Sequence, residues 1–253
     1  MAKASSRVSV KGKPISSNHK GRPIHNEILS GLPRKEFNAV LAALEFVDLP
    51  VRTILNDPGE AITSCYFVNS GLVSILSVLS EGKSVEVGLT GKEGFVGLPL
   101  VVGLKTSGAR AIVQIPATAF RINAAKMVAV LRQCPSLEKK LNRYVHALGA
   151  QSVQVAACNR LHEVDKRLAR WLLMCQDRVG GDDVLLTQEF LGHMLGTRRA
   201  SVTVAAGMLQ KAGYITYNRG RVRIVNRDNL KSASCECYAA LTRQITNWQS
   251  EVQ

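Results

Sequence analysis

One stretch constrains this chain more than any other: "TQEFLGHMLGTRRASVTVAAGMLQKAGYITYNRGRVRI", residues 187–224. Thr187 is a good N-cap, since its hydroxyl can accept from an otherwise unpaired first-turn N–H, and Gln188 and Glu189 follow it. The helix they open stops at Gly196. A second helix starts near Arg198, runs to about Lys211 and is ended by Gly213. Two β-type runs then flank Asn218-Arg219-Gly220, a hairpin signal. Helix, glycine turn, helix and basic hairpin make a winged helix-turn-helix.

The second helix has two unlike flanks. At about 100° per residue, Val202, Ala205, Ala206 and Leu209 fall together and are expected to pack on the first helix. The other flank carries Ala200, Val204 and Gly207, edged by Arg199 and Thr203. Arg198 and Ser201 lie at the N-terminal end, where phosphates are bound. Arg199 is the side chain suited to bidentate contact with guanine, with Thr203 second, while Ala200 and Val204 can offer only apolar contact, most usefully to a thymine methyl. In the hairpin, Arg219, Arg221 and Arg223 alternate, so those within one strand share a face and form a basic wing for phosphates.

Charge supports this reading once it is located. Residues 1–25 carry +6 with no acid, residues 26–135 nearly balance, and Leu185 to Arg227 holds seven basic residues against Glu189 alone. The total of +14 is thus concentrated in a tail and one C-terminal patch. A phosphate backbone is the commonest partner of such a patch. Double-stranded DNA is the expected partner. The alternative is a ligand-responsive module acting through a protein partner, which would not show a DNA reader's steep loss of affinity with salt.

The first 25 residues lack periodicity and read as a disordered basic arm, with an organelle transit peptide as the lesser alternative. From Val51 to Ile122 short apolar runs are punctuated by glycines, the texture of a β-sandwich or barrel. Gly71 and Gly82 are expected as turns bracketing one arm. After Pro135, Leu137, Leu141, Tyr144, Leu148, Gln151, Val155, Cys158 and His162 are spaced 4-3-4-3, as on a coiled-coil seam. A helix packed on its own domain is one reading. A homodimer seam is favoured, with Leu137, Leu141, Tyr144, Leu148, Gln151 and Val155 at the interface and Gln151 setting register.

Six cysteines are scattered and nothing suggests a secreted disulfide framework. Cys235 and Cys237 form a C-x-C pair able to bind metal or sense oxidation, but two thiols do not complete a tetrahedral site. The histidine spacings supply no further ligands, so no metal site is expected. No apolar run reaches the ~18 residues of a membrane span, and a cytoplasmic protein without membrane contact is expected. No nucleotide-binding P-loop, nucleophile elbow or zinc-protease motif is present, so catalysis is not expected.

The order of elements, with "EGFVGLPLVVG", the heptad helix, "LTQEFLGHMLGTRRASVTVAAGMLQKAGYI" and "YNRGRVRI", resembles the Crp/Fnr family of bacterial transcription regulators across about residues 27–230. The resemblance implies an α+β chain. A jelly-roll-like β-roll sensor domain would span 26–135, a long dimerisation helix 136–162 and a winged helix-turn-helix 163–230, with a C-terminal extension over 231–253. It also implies a homodimer on a two-fold-related operator, with RNA polymerase as a further partner and a small-molecule effector in the β-roll. An effector pocket would involve Gly97, Leu98, Arg110 and Ser152. Cyclic-AMP-binding members carry a Gly-Glu-Leu turn followed by adjacent Arg and Ser; here the turn is Gly97-Leu98-Pro99, and Arg110 is displaced between alanines. A cyclic nucleotide held in the usual way is therefore not expected. Nor is an N-terminal iron–sulfur cofactor, since no cysteine precedes Cys65. Ala200 and Val204 stand where many members have polar reading residues, which implies an operator unlike the usual family half-sites.

Overall fold

The computed structural model describes residues 18–19, 21–80, 82–185, 188–218 and 220–250. Most of the basic arm, Thr187 and Arg219 therefore lie outside the described residues. A two-residue ribbon, β1 (Asn18–His19) with β2 (Arg22–Pro23), leads into two short helices, α1 (Glu27–Ser30) and α2 (Arg34–Leu41). Asn26 caps α1 by accepting from the Leu29 N–H at 3.1 Å. Its amide also donates to the carbonyls of Val68 and Gly94, both at 2.8 Å, which fastens the helix to the sheet.

The sheet is antiparallel and built on two long strands, β5 (Ser64–Val78) and β8 (Arg110–Asn123). Its order is β3 (Glu45–Leu49), β8, β5, β6 (Ser84–Thr90), with β4 (Ile54–Asn56) also pairing β8 and β7 (Phe95–Val96) pairing β5. Three register shifts between Val68 and Val73 bend β5 so that the sheet rolls around its core. Gly71 sits inside this bend. Its φ of +79° and the Pro116 carbonyl oxygen, 2.3 Å from where a Cβ would stand, exclude any other residue. The expected turn at Gly71 is thus a bulge within a continuous strand, whereas Gly82 does lie in the β5–β6 turn, its N–H reaching the Leu79 carbonyl at 2.9 Å.

A 3-10 turn (Leu98–Val102) and α3 (Ala124–Gln133) close the roll, and α4 (Pro135–Leu161) crosses it. Here the seam expected from the heptad is overturned. Leu137, Leu141 and Tyr144 are buried in the sensor core with Phe67, Phe95 and Phe120. Leu148 presses on Gly88, the Gln151 amide oxygen accepts from the Leu89 N–H, and Val155 joins the core beneath the C-terminal helices. These six side chains serve their own chain. A 4-3-4-3 pattern shows that one face is buried but not which molecule buries it.

Beyond α4 come α5 (Val164–Val179), β9 (Asp183–Leu185), α6 (Gln188–Met194) and α7 (Arg199–Lys211). The wing strands β10 (Ile215–Asn218) and β11 (Arg221–Ile224) follow, then α8 (Arg227–Ala233) and α9 (Cys237–Ser250). The sequence hides how closely this half joins the sensor. One core runs from Leu72, Leu76 and Leu89 of the sheet to Trp171, Leu191, Val202 and Leu209. Two buried polar contacts cross the same boundary: the Trp171 indole N–H donates to Glu86 at 2.7 Å, and the Arg178 Nε–H donates to Glu93 at 2.7 Å. The extension folds back on α4 and α5, where the Tyr238 hydroxyl donates to Asp177 at 2.9 Å. Among the described residues no helix is long and apolar enough to cross a membrane.

Candidate nucleic-acid interface

Helix α7 has no side-chain cap at Arg198, whose extended backbone (ψ 147°) leaves the first-turn N–H groups turned outward. Val202, Ala205, Ala206 and Leu209 are buried against α5 and α6. Arg198, Arg199, Ala200, Thr203, Val204 and Gly207 are exposed, and Ser201 is half-buried. The Thr203 hydroxyl donates to the Arg199 carbonyl at 3.1 Å. Met208, 55 % exposed, extends the apolar strip begun by Val204. It stands one turn after Val204 on the same flank, a position the i, i+4 spacing of the helix makes readable.

The wing is a three-stranded sheet in the order β10-β11-β9, with Arg221 opposite Leu185 and Arg223 opposite Asp183. Arg221 and Arg223 are exposed while Val222 and Ile224 between and after them are buried, so both guanidiniums leave the same face. Arg223 also lies 3.8 Å from the Asp183 carboxylate. The Gln210 amide oxygen accepts from the Tyr217 N–H at 2.8 Å and fixes the wing to the end of α7. Burial raises the Tyr217 phenol, and the Arg199 guanidinium opposes that shift. A single surface therefore holds a helix N-terminus, a narrow apolar strip and arginines at both edges. Its chemistry suits a phosphate-lined groove.

The helix-turn-helix turn rests on the sensor. Gly196 has φ +56° and a Cβ there would come 2.9 Å from Val85 Cγ2. Gly196→Ala is accordingly expected to cost about 1 kcal/mol from the left-handed backbone alone, with the Val85 contact adding to it; urea unfolding measures the sum.

In the sensor, Gly97 and Leu98 line a cavity of about 270 Å³ together with Ile75, Phe95, Ala111 and Leu148. The other two expected pocket residues are not there. Arg110 is held by Asp57 in a two-bond ion pair at 2.8 and 2.9 Å, and the Ser152 hydroxyl donates to the Leu148 carbonyl of its own helix at 3.0 Å. Among the described residues no basic side chain lines the cavity, so a phosphate placed in it would meet no countercharge from them.

The expectation that no histidine completes the Cys235–Cys237 pair is also overturned. Cys158 and His162, one turn apart at the end of α4, meet Cys235 and Cys237, and all four ligand atoms lie within 4.8 Å of one another. The C-x3-H spacing of Cys158 and His162 lies within the heptad stripe, where helix periodicity alone accounts for it.

Two domain models match this chain: a cyclic nucleotide-binding domain over residues 47–134 and a Crp-like helix-turn-helix domain over residues 166–233. The chain belongs to the Crp/Fnr family. Solved Crp/Fnr structures share its fold. A putative Crp/Fnr transcriptional regulator from Eubacterium rectale superposes with a TM-score of 0.65 at 16% identity, covering 83% of this chain and 98% of its own. FixK2 from Bradyrhizobium japonicum gives 0.65 at 16%, covering 76% and 98%. CLP from Xanthomonas campestris, described as a c-di-GMP-responsive global regulator, gives 0.58 at 19%, covering 76% and 99%. No curated protein matches the chain. This Crp/Fnr regulator thus pairs a DNA-binding helix-turn-helix with a cyclic-nucleotide-binding-like domain whose cavity, among the described residues, has no basic lining.

Proposed function

We propose that this Crp/Fnr regulator binds a two-fold-related DNA operator as a homodimer, with Arg199 reading a base and the wing arginines holding phosphates. The observation that carries the reading is the shared surface of α7 and β11, on which Arg198, Arg199, Thr203, Arg221 and Arg223 surround the Ala200–Val204–Gly207 strip. Thr187 and Arg219 are assigned to phosphate contact on sequence alone. Two substitutions separate the roles. Arg199→Ala is expected to cost about 1–3 kcal/mol at one base pair and relax preference there. Arg221→Ala is expected to weaken all duplexes alike and reduce the salt slope by about one. Fluorescence anisotropy on duplexes varied one base pair at a time checks both, and equal behaviour of the two variants contradicts the division.

The dimer face we assign is the exposed side of α4. Asn142, His146, Gly149, Val153, Ala156 and Arg160 are all exposed and repeat at 4-3-4-3-4 spacing. Val153 is 73 % exposed, and Gly149 and Ala156 permit close approach of a second helix. Val153→Glu is expected to shift the chain to monomer in light scattering and to abolish tight operator binding while circular dichroism stays unchanged. A dimer that survives the change refutes this face. The effector, where one exists, is a molecule without phosphate recognition of the cyclic-AMP kind, since Arg110 is already paired with Asp57. Contact with RNA polymerase and a cytoplasmic location belong to the same proposal.

A further inference from the structure

The cluster at the end of α4 has the dimensions of a coordination shell. Cys158 Sγ lies 3.5 Å from Cys235 Sγ, and Cys237 Sγ lies 3.6 Å from His162 Nδ1. A zinc ion bound tetrahedrally at ordinary bond lengths sets S–S edges of about 3.8 Å and S–N edges of about 3.6 Å. The cluster is thus nearly at its coordinated size. An iron–sulfur cluster places several metal atoms between its thiolates and needs a wider cage.

The surroundings are those of a ligand set. His162 Nε2 is 3.1 Å from the Glu236 carboxylate, which sits between the two cysteines of the C-x-C pair. That carboxylate accepts from the Nε2–H and leaves the Nδ1 lone pair facing the thiols, as carboxylate partners orient metal-binding histidines. The Gln154 amide donates to Cys237 Sγ at 3.0 Å. The three cysteines are buried, and among the described residues they form a small cluster of their own. Two buried guanidiniums act on the same thiols: Arg167 on Cys158 and Cys235, and Arg170 on both as well. Neither Arg167 Nε nor Arg170 Nε has a hydrogen-bond partner among the described residues. Three thiolates and a neutral imidazole around a divalent cation carry a net charge of −1, which those cations offset.

We propose that Cys158, His162, Cys235 and Cys237 bind one zinc-class divalent cation tetrahedrally, fastening the C-terminal extension to the end of α4. Binding displaces three thiol protons and leaves the sulfurs as thiolates; no electron is transferred. The site lies where α4 gives way to α5, one residue before the DNA-binding half begins at Glu163, so the metal also fixes the joint between the domains.

The test uses the full chain purified with zinc in the medium. Elemental analysis is expected to return one zinc per chain, retained through dialysis and released when the thiols are blocked with a mercurial. Replacement by cobalt(II) is expected to give the intense visible ligand-field bands of tetrahedral coordination with thiolate charge transfer. Cys158→Ser and Cys237→Ser are expected to lose stoichiometric metal. Glu236→Gln, which keeps all four ligands and stays at the surface, is expected to weaken zinc affinity about 10- to 100-fold. Cys134→Ser, away from the cluster, leaves the stoichiometry at one. Wild-type protein that is folded and metal-free after zinc dialysis overturns the proposal, as does iron with inorganic sulfide or a Cys158–Cys235 disulfide in its place.

Discussion

Glu93→Ala is expected to destabilise the chain by about 3–5 kcal/mol, because it leaves the Arg178 guanidinium buried without its counter-ion. The two side chains are 9 % and 5 % exposed and meet at 2.7 Å. Glu93 lies in the loop between β6 and β7 and also accepts from the Gly91 N–H at 3.2 Å, so it stiffens its own loop while holding α5. Arg178 donates a second bond to the Met174 carbonyl at 3.1 Å, but its Nη2 has no partner among the described residues and none would appear on loss of the carboxylate. The cost comes from the charge left behind. The double change Glu93→Ala with Arg178→Met is therefore expected to recover most of the loss, since it removes both charges and leaves an apolar side chain on α5. Urea unfolding followed by tryptophan fluorescence reads the effect on the fold. A Glu93→Ala variant within about 0.5 kcal/mol of the parent shows that the pair does not hold the two halves together.

Glu86→Gln is expected to change how stability depends on pH. Glu86 is fully buried; desolvation is the main cause that raises its carboxyl from 4.5 to about 7, against hydrogen bonds from Ser74 and Trp171 and the attraction of Arg170 and Arg178. The sign follows from proton binding. Below about pH 4.5 the group is protonated in both folded and unfolded chains. Between there and about 7 the unfolded chain releases the proton while the fold retains it, so stability falls as pH rises. Above that range the penalty is complete, on the order of 3 kcal/mol at about 1.4 kcal/mol per unit. Glutamine keeps the shape, can still accept from the Trp171 N–H, and does not ionise. The difference in stability between Glu86→Gln and the parent is thus expected to grow in favour of the variant from pH 5 to pH 8. A difference that is flat over that range contradicts the assignment. Glu86→Ala is expected to be destabilising throughout, since it orphans the Trp171 indole and opens a cavity.

The DNA-binding half was readable from sequence because local chemistry sets it. Gly196 and Gly213 stop helices, the buried and exposed flanks of α7 differ in residue type, and Arg221 and Arg223 alternate on a strand with period two. Tertiary partnership was not readable. The stripe from Leu137 to Val155 announces a buried face, yet the burying surface changes along it from the sensor core to β6 and then to the DNA-binding half. Arg110 sits near the expected phosphate position in sequence, but Asp57, 53 residues away, captures it. The cysteine cluster needed both facts at once: Cys158 and His162 share a helix face, and the chain returns 73 residues later to lay Cys235 beside His162. Spacing shows the first and only folding shows the second.

In vitro selection of the full-length protein on a pool of random duplexes decides whether α7 reads DNA as its residues indicate. The expected result is enrichment of a two-fold-related sequence whose half-sites place a guanine under Arg199 and a thymine methyl near Ala200 or Val204, and which differ from the cyclic-AMP receptor half-site. Failure to enrich any duplex, or recovery of the common family consensus, contradicts it.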